Sequence, residues 1–288
     1  MKKYVAAFVL GALLLSPGSA FAKCTAQGYT VAFINGILTT REQAQADAKA
    51  LAQNYFQRVP SDPKSPVTFT LVYNPTHLAG AGDLAESISQ IFGAPVSDFD
   101  FKTMLQQLYT ELATRRVLMV GHSQGTLYSN AFYTYLLAHG EPKEAVGVYN
   151  VATPASFVAG GGMYLNSNQD LALSMIAVAA KKAGAPLPLP GNIDIGFTTK
   201  DLTEDVVQGH SFVNAYLEGA GDRVVSDVQK SVSALRPTFA SETGDCFDAP
   251  PRSLGQSIEA AVFWVADPTA SVVASATTDT VKACVPQS

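Results

Sequence analysis

Short apolar runs alternate along this chain with longer segments whose apolar positions recur every three to four residues. That alternation predicts a mostly parallel sheet covered by helices. Residues 30–34 read as a first buried strand, followed by Asn35, Gly36, Ile37 and Leu38. Thr39 and Thr40 stand at capping-box spacing from Glu42 and Gln43, which predicts a helix start. Ala44, Ala48, Leu51, Ala52, Tyr55 and Val59 then mark one face of that helix, and the Pro- and Ser-containing stretch 60–66 ends it. Residues 67–73 form a second strand. Asp83 is placed to cap a short helix carrying Leu84, Ile88 and Ile91, and a further helix carries Met104, Leu105, Leu108 and Leu112. A strand over 117–120 leads through a Gly-rich turn into a helix ending near His139 and Gly140.

The second half continues the pattern. Strands are expected at 145–151 and 163–166, and 171–180 reads as an alanine-rich core helix. Its alternative use is as the wall of an acyl pocket or, together with the glycine-rich loop 157–163, as a mobile cover. Prolines at 186, 188 and 190 stop it. A last strand is expected at 193–197, then a polar loop to Gly209 and His210, then helices over 213–217 and 224–235. Beyond Pro237 the periodicity fades into Ser, Thr, Ala, Asp and Pro. The expected organisation is a leader over 1–22, one α/β domain over 23–240, and a C-terminal extension over 241–288 packed on that domain. There is no internal repeat.

The leader changes where the protein is expected to work. Lys2 and Lys3 precede an apolar run too short to span a bilayer, and Ala20, Phe21 and Ala22 offer a small-residue cleavage site. A secreted or periplasmic protein beginning at Lys23 is expected. It has no other run of membrane-spanning length, and a monomer is expected. In an oxidising compartment three cysteines imply one disulfide and one thiol left over. Cys246 and Cys284 are the expected pair, and Cys24 can replace either. The formal charge of −5 becomes −7 when the leader, which holds two lysines and no acid, is removed. No basic patch points to a nucleic-acid partner.

Chemistry concentrates at Gly121-His122-Ser123-Gln124-Gly125. A G-x-S-x-G between a strand and a helix describes a sharp turn that holds the serine in strained geometry with its Oγ exposed. The glycines are needed because side chains on either side would collide across so tight a bend. A serine needs a histidine to take its proton and a carboxylate to orient that histidine. Of four histidines, His122 adjoins the serine, His139 ends the following helix and His77 precedes it in the chain, which leaves His210. Asp170, just past the strand 163–166, is the expected acid. Asp194, Asp201, Glu204 and Asp205 are its rivals. Backbone N–H groups of Gln124 and Ile37 are the candidate donors for an oxyanion. No His-Glu-x-x-His, Cys-x-x-Cys or phosphate-cradling loop is present, so neither metal nor cofactor is expected.

Taken together, the 121–125 elbow, Asn35-Gly36, Asp170 and His210 resemble the α/β-hydrolase family of lipases and esterases over roughly residues 30–235. The resemblance implies Ser123 as nucleophile, Asp170 as acid and His210 as base. The family often has His-Gly where this chain has Asn35-Gly36, which leaves the identity of the oxyanion donor open. The implied activity is hydrolysis of small-molecule or lipid carboxylic esters through an acyl-enzyme. A peptidase, amidase or acyltransferase on the same scaffold, and a silent envelope-binding protein, stay open as alternatives.

Overall fold

The computed structural model describes residues 23–25, 28–37, 39–75, 98–111, 116–205, 207–236 and 243–245. The leader, Asp83 and its expected helix, His77, Cys246 and Cys284 lie outside the described residues.

Five parallel strands form the central sheet: β2 (Tyr29–Ile34), β3 (Val67–Val72), β4 (Val117–His122), β5 (Val146–Val151) and β6 (Met163–Leu165). Their order is β3-β2-β4-β5-β6, so the chain steps outward in one direction from β2 and in the other from β4. Period-two alternation decides which side chains face which layer. Val31 and Phe33 of β2, with Leu118 and Val120 of β4, join one core, and Ala32, Ile34, Val117 and Met119 join the other. The first core is closed by α1 (Arg41–Arg58) and α6 (Glu218–Ala234). The second is closed by α2 (Asp98–Glu111) and α3 (Gly125–Ala138). Both faces are therefore covered, as an all-parallel sheet requires.

α1 begins as its sequence predicts. The Thr40 hydroxyl accepts from Gln43 N–H, and the Gln43 side chain accepts from Thr40 N–H, satisfying two of the helix's orphan donors. Such a cap stabilises a helix by about 1 kcal/mol. A separate two-stranded antiparallel ribbon joins β1 (Lys23–Thr25) to β7 (Thr243–Asp245), with Cys24 opposite Gly244.

Four expectations need correction. Residues 193–197 form no strand: only Ile193 bridges to Ser167, and the sheet ends at β6. Local polar groups capture that backbone instead, since Ile195 N–H donates to Gln169 Oε1 and Asn192 N–H to the Asn166 carbonyl. The polar loop before His210 contains a helical turn, α5 (Thr199–Glu204), started by the Thr198 side chain accepting from Asp201 N–H. Helix α4 (Leu171–Ala183) is not a core helix, because only Leu173 and Ala180 of its residues are buried. The loop carrying Gly160 to Gly162 is not loose. A Cβ at Gly160 would lie 2.5 Å from the Tyr133 ring, and one at Gly162 would lie 2.1 Å from the Val148 carbonyl oxygen. Those glycines serve close packing on α3 and β5.

Candidate active site

Open parallel sheets place their ligand sites where strand order reverses, at the carboxyl ends of the strands. Here the reversal lies between β2 and β4, whose ends carry Asn35-Gly36 and Ser123. β4 is buried along its whole length, so the turn that follows rises from a fixed base. Ser123 has φ 55°, a left-handed backbone that a non-glycine residue adopts only when its surroundings enforce it. The enforcement is visible. Ser123 N–H donates to the Val151 carbonyl of β5 at 3.0 Å, while Thr126 N–H and its hydroxyl both donate to the Ser123 carbonyl. A Cβ at Gly121 would sit 2.7 Å from Thr126 Cα, and one at Gly125 would sit 2.3 Å from the Ile34 carbonyl oxygen. No side chain fits at either position.

Ser123, His210 and Asp170 meet, although 87 residues separate the first pair and 40 the second. His210 Nε2 is 2.8 Å from Ser123 Oγ, and His210 Nδ1 is 2.8 and 3.0 Å from the two Asp170 carboxylate oxygens. An ionised carboxylate only accepts, so Nδ1 carries the proton and donates it to Asp170. The Nε2 lone pair is then free to accept the Ser123 hydroxyl proton. That is the tautomer a serine-activating base needs.

Asp170 is fully buried and caps α4 by accepting from Leu173 N–H at 3.0 Å. Three of the competing acids, Asp194, Asp201 and Asp205, are engaged elsewhere. Both oxygens of Asp201 accept from Gly209 N–H, Asp205 accepts from the Asn214 amide, and Asp194 accepts from Asn168 and Gln169. Asp201 thus fixes the backbone beside His210, and burial with the neighbouring Asp201 raises the Asp205 carboxyl. Gly209 lets His210 reach Asp170. It has φ 76°, and a Cβ there would stand 2.6 Å from the Gln169 carbonyl oxygen.

The residue discarded as a base has a different part. His122 Nε2 lies 2.8 Å from the His210 carbonyl oxygen, which can only accept, so His122 carries its proton on Nε2. Burial, reinforced by the neighbouring His210, lowers its pKa to about 3. It stays neutral and holds the His210 backbone without competing for the serine proton. Its place inside the elbow was the only signal for this in the sequence.

The end of β2 forms the opposite wall. A Cβ at Gly36 would fall 2.7 Å from Ser123 Cβ and 3.2 Å from Ser123 Oγ, so the Asn35–Ile37 turn lies directly against the serine. Asn35 pins that turn. Its side-chain oxygen accepts from Asn74 N–H, and its amide donates to the Asn74 and Gly36 carbonyls. The Asn74 amide in turn donates to the Gln124 side chain at 2.9 Å. Asn74 lies two residues beyond the end of β3 and was not among the expected site residues, because nothing local in sequence links it to the elbow. Gln124 itself opens α3 in helical conformation (φ −57°, ψ −31°), at the helix's electropositive end.

Among the described residues no cluster of His, Cys, Asp and Glu is arranged to hold a metal ion, and no helix is long and apolar enough to cross a membrane. Compared with known proteins, the chain matches no family model and no curated sequence. What the geometry defines is an α/β protein whose buried carboxylate, histidine and strained serine form one hydrogen-bonded chain.

Proposed function

We propose that this protein is an exported serine hydrolase of the α/β-hydrolase type that cleaves carboxylic esters. The observation that carries the reading is the unbroken line Ser123 Oγ, His210, Asp170, each link at 2.8 Å, behind a serine held at φ 55°. In the reaction Ser123 Oγ attacks the ester carbonyl as its proton passes to His210 Nε2. The resulting oxyanion is held by the backbone N–H groups of Gln124 and Ile37, which flank the serine on the elbow and on the β2 turn. His210 then gives its proton to the leaving alcohol, and the carbon–oxygen bond breaks to leave an acyl-serine. Water, deprotonated by His210, attacks that ester, and the acid leaves as the proton returns to Ser123. Asp170 stabilises the imidazolium in both halves and stays ionised.

The substrate side of the reading rests on α4. Leu171 follows the acid directly, and Leu171, Met175 and Val178 recur at i, i+4 and i+7 on the solvent-facing side, 42, 69 and 70 % exposed. An apolar stripe that starts at the acid and faces outward suits the hydrocarbon part of an ester. The double variant Met175→Glu, Val178→Glu is expected to lower kcat/KM about tenfold for p-nitrophenyl esters of long acyl chains, and hardly at all for the acetate. Equal losses on both, or none on either, would detach α4 from substrate binding.

The activity is tested by treating the protein with a fluorophosphonate and mapping the labelled residue by mass spectrometry, alongside turnover of ester and anilide substrates. Labelling at Ser123 with ester turnover supports the proposal, and anilide turnover exceeding ester turnover reassigns it to an amidase. A folded protein that neither labels nor turns over overturns the hydrolase reading.

A further inference from the structure

Immediately after His210 the chain makes a wide helical turn, Phe212–Leu217, before entering α6. The Ser211 carbonyl accepts from both Ala215 N–H (3.2 Å) and Tyr216 N–H (3.1 Å), and the Ser211 hydroxyl accepts from Asn214 N–H. The bond from Tyr216 spans five residues instead of the four of an ordinary helix, so the turn is widened by one residue. Such insertions are rare and cluster at functional sites, because they re-aim the side chains that follow. Here the side chain concerned is Tyr216. It is fully buried, and its hydroxyl donates to Asp170 Oδ2 at 2.9 Å while accepting from Ser167 N–H at 2.9 Å.

We propose that Tyr216 is a positioning residue for the acid: its hydroxyl, anchored on Ser167 N–H, fixes the orientation and moderates the charge of the Asp170 carboxylate that faces His210. Asp170 then has a partner for each oxygen: Leu173 N–H on Oδ1 and Tyr216 O–H on Oδ2, with His210 Nδ1–H between them. The carboxylate cannot rotate without breaking at least one of these bonds. Because the Tyr216 hydroxyl itself is oriented by Ser167 N–H, the arrangement is rigid one layer further out.

A hydroxyl donating to a carboxylate draws off part of its negative charge, which lowers the attraction that Asp170 exerts on a protonated His210. Removing the hydroxyl strengthens that attraction, so His210 holds a proton to higher pH. The other titratable groups around Tyr216 do not obscure the effect. Tyr149 of β5 and Tyr216 itself are pushed far above the ordinary tyrosine range by burial, with Asp227 and Asp170 respectively adding to it. His122 of β4, whose ring stands edge-on to Tyr216, is neutral. Asp201 and Asp205 lie on the preceding segment and bond Gly209 and Asn214.

The test compares the protein with Tyr216→Phe and with a variant carrying 3-fluorotyrosine at 216, following the His210 ring by NMR against pH. In Tyr216→Phe the titration midpoint of His210 is expected to rise by about half a unit to one unit. The stronger donor, fluorotyrosine, is expected to move it the opposite way. The kinetic arm rests on the hydrolase reading: the acid limb of kcat/KM moves with the midpoint, kcat at neutral pH falls about three- to tenfold, and KM changes little. A midpoint unchanged in both variants overturns the proposal whatever happens to kcat or Tm, since lost packing or an unsatisfied Ser167 N–H lowers stability without shifting a titration. If Tyr216→Phe does not fold, the fluorotyrosine protein, which keeps the hydroxyl, still reads the sign. NMR shifts of the expected signs in a protein inert to fluorophosphonate would support the role of Tyr216 and overturn the hydrolase reading instead.

Discussion

Replacing Ser123 by alanine is expected to abolish fluorophosphonate labelling and to lower ester turnover by about four to six orders of magnitude. The substitution removes one oxygen and nothing else. Alanine meets the same left-handed backbone penalty as serine, so the elbow stays as strained as before, held by Val151 and Thr126. The expected variant is therefore folded, with a Tm within a few degrees of the parent. His210 and Asp170 remain bonded to each other but have no hydroxyl to deprotonate. Circular dichroism and thermal unfolding establish the fold, and turnover of p-nitrophenyl acetate establishes the loss. Turnover surviving within tenfold would mean that the bond is broken by a different group, and the nucleophile assignment would fall.

Asp170→Asn is expected to cost about four orders of magnitude in kcat, again with the fold retained. Asparagine matches aspartate in volume, and its carbonyl oxygen can keep the Leu173 N–H cap of α4. What it cannot keep is an acceptor on both sides. An amide turned so that its oxygen meets Leu173 presents N–H groups towards His210 and Tyr216, where the structure has two donors already. His210 relieves that clash by moving its proton from Nδ1 to Nε2, and Nε2 then has no lone pair for Ser123. The base is lost through its tautomer, not through its position. The rival acids sharpen the test. Asp201→Asn removes charge from the carboxylate that holds Gly209 and leaves the His210 ring bonded to Asp170. If Asp201→Asn were the more damaging of the two, the assignment of the acid would be wrong.

The parts of the site legible in sequence are those whose constraints are local. The elbow glycines are dictated by contacts within a few residues and across one strand, so a five-residue pattern carries them. His210 emerged because only four histidines compete: His122 adjoins the serine, His139 ends the following helix, and chain order excludes His77. Asp170 stood out as a carboxylate between β6 and an apolar run, although its closest rivals were separated from it only by hydrogen bonds to Gly209 and Asn214. Tyr216 and Asn74 were invisible for the opposite reason. Each acts on a partner 46 or 50 residues away, through a bond that depends on how two segments pack. The errors in the fold have separate causes. Residues 193–197 alternate as a strand does, but the side chains of Gln169 and Asn192 and the carbonyl of Asn166 satisfy the local backbone before a sixth strand can form. In α4 an alanine-rich composition suggested burial, whereas one side of that helix faces outward.

Gly36, Ser123, Asp170 and His210 arrive from four separate stretches of chain, and the full set is assembled only when β2, β4, β6 and the turn before α6 have all docked. Asp170 and His210 meet through contacts within residues 163–217, but Ser123 joins them only across 87 residues of chain. Such long-range contacts form late and slowly during folding, since loop closure must be met before they reward the chain. On the hydrolase proposal, the reactivity of Ser123 is therefore a property of the finished molecule. A chain still extended carries an ordinary serine.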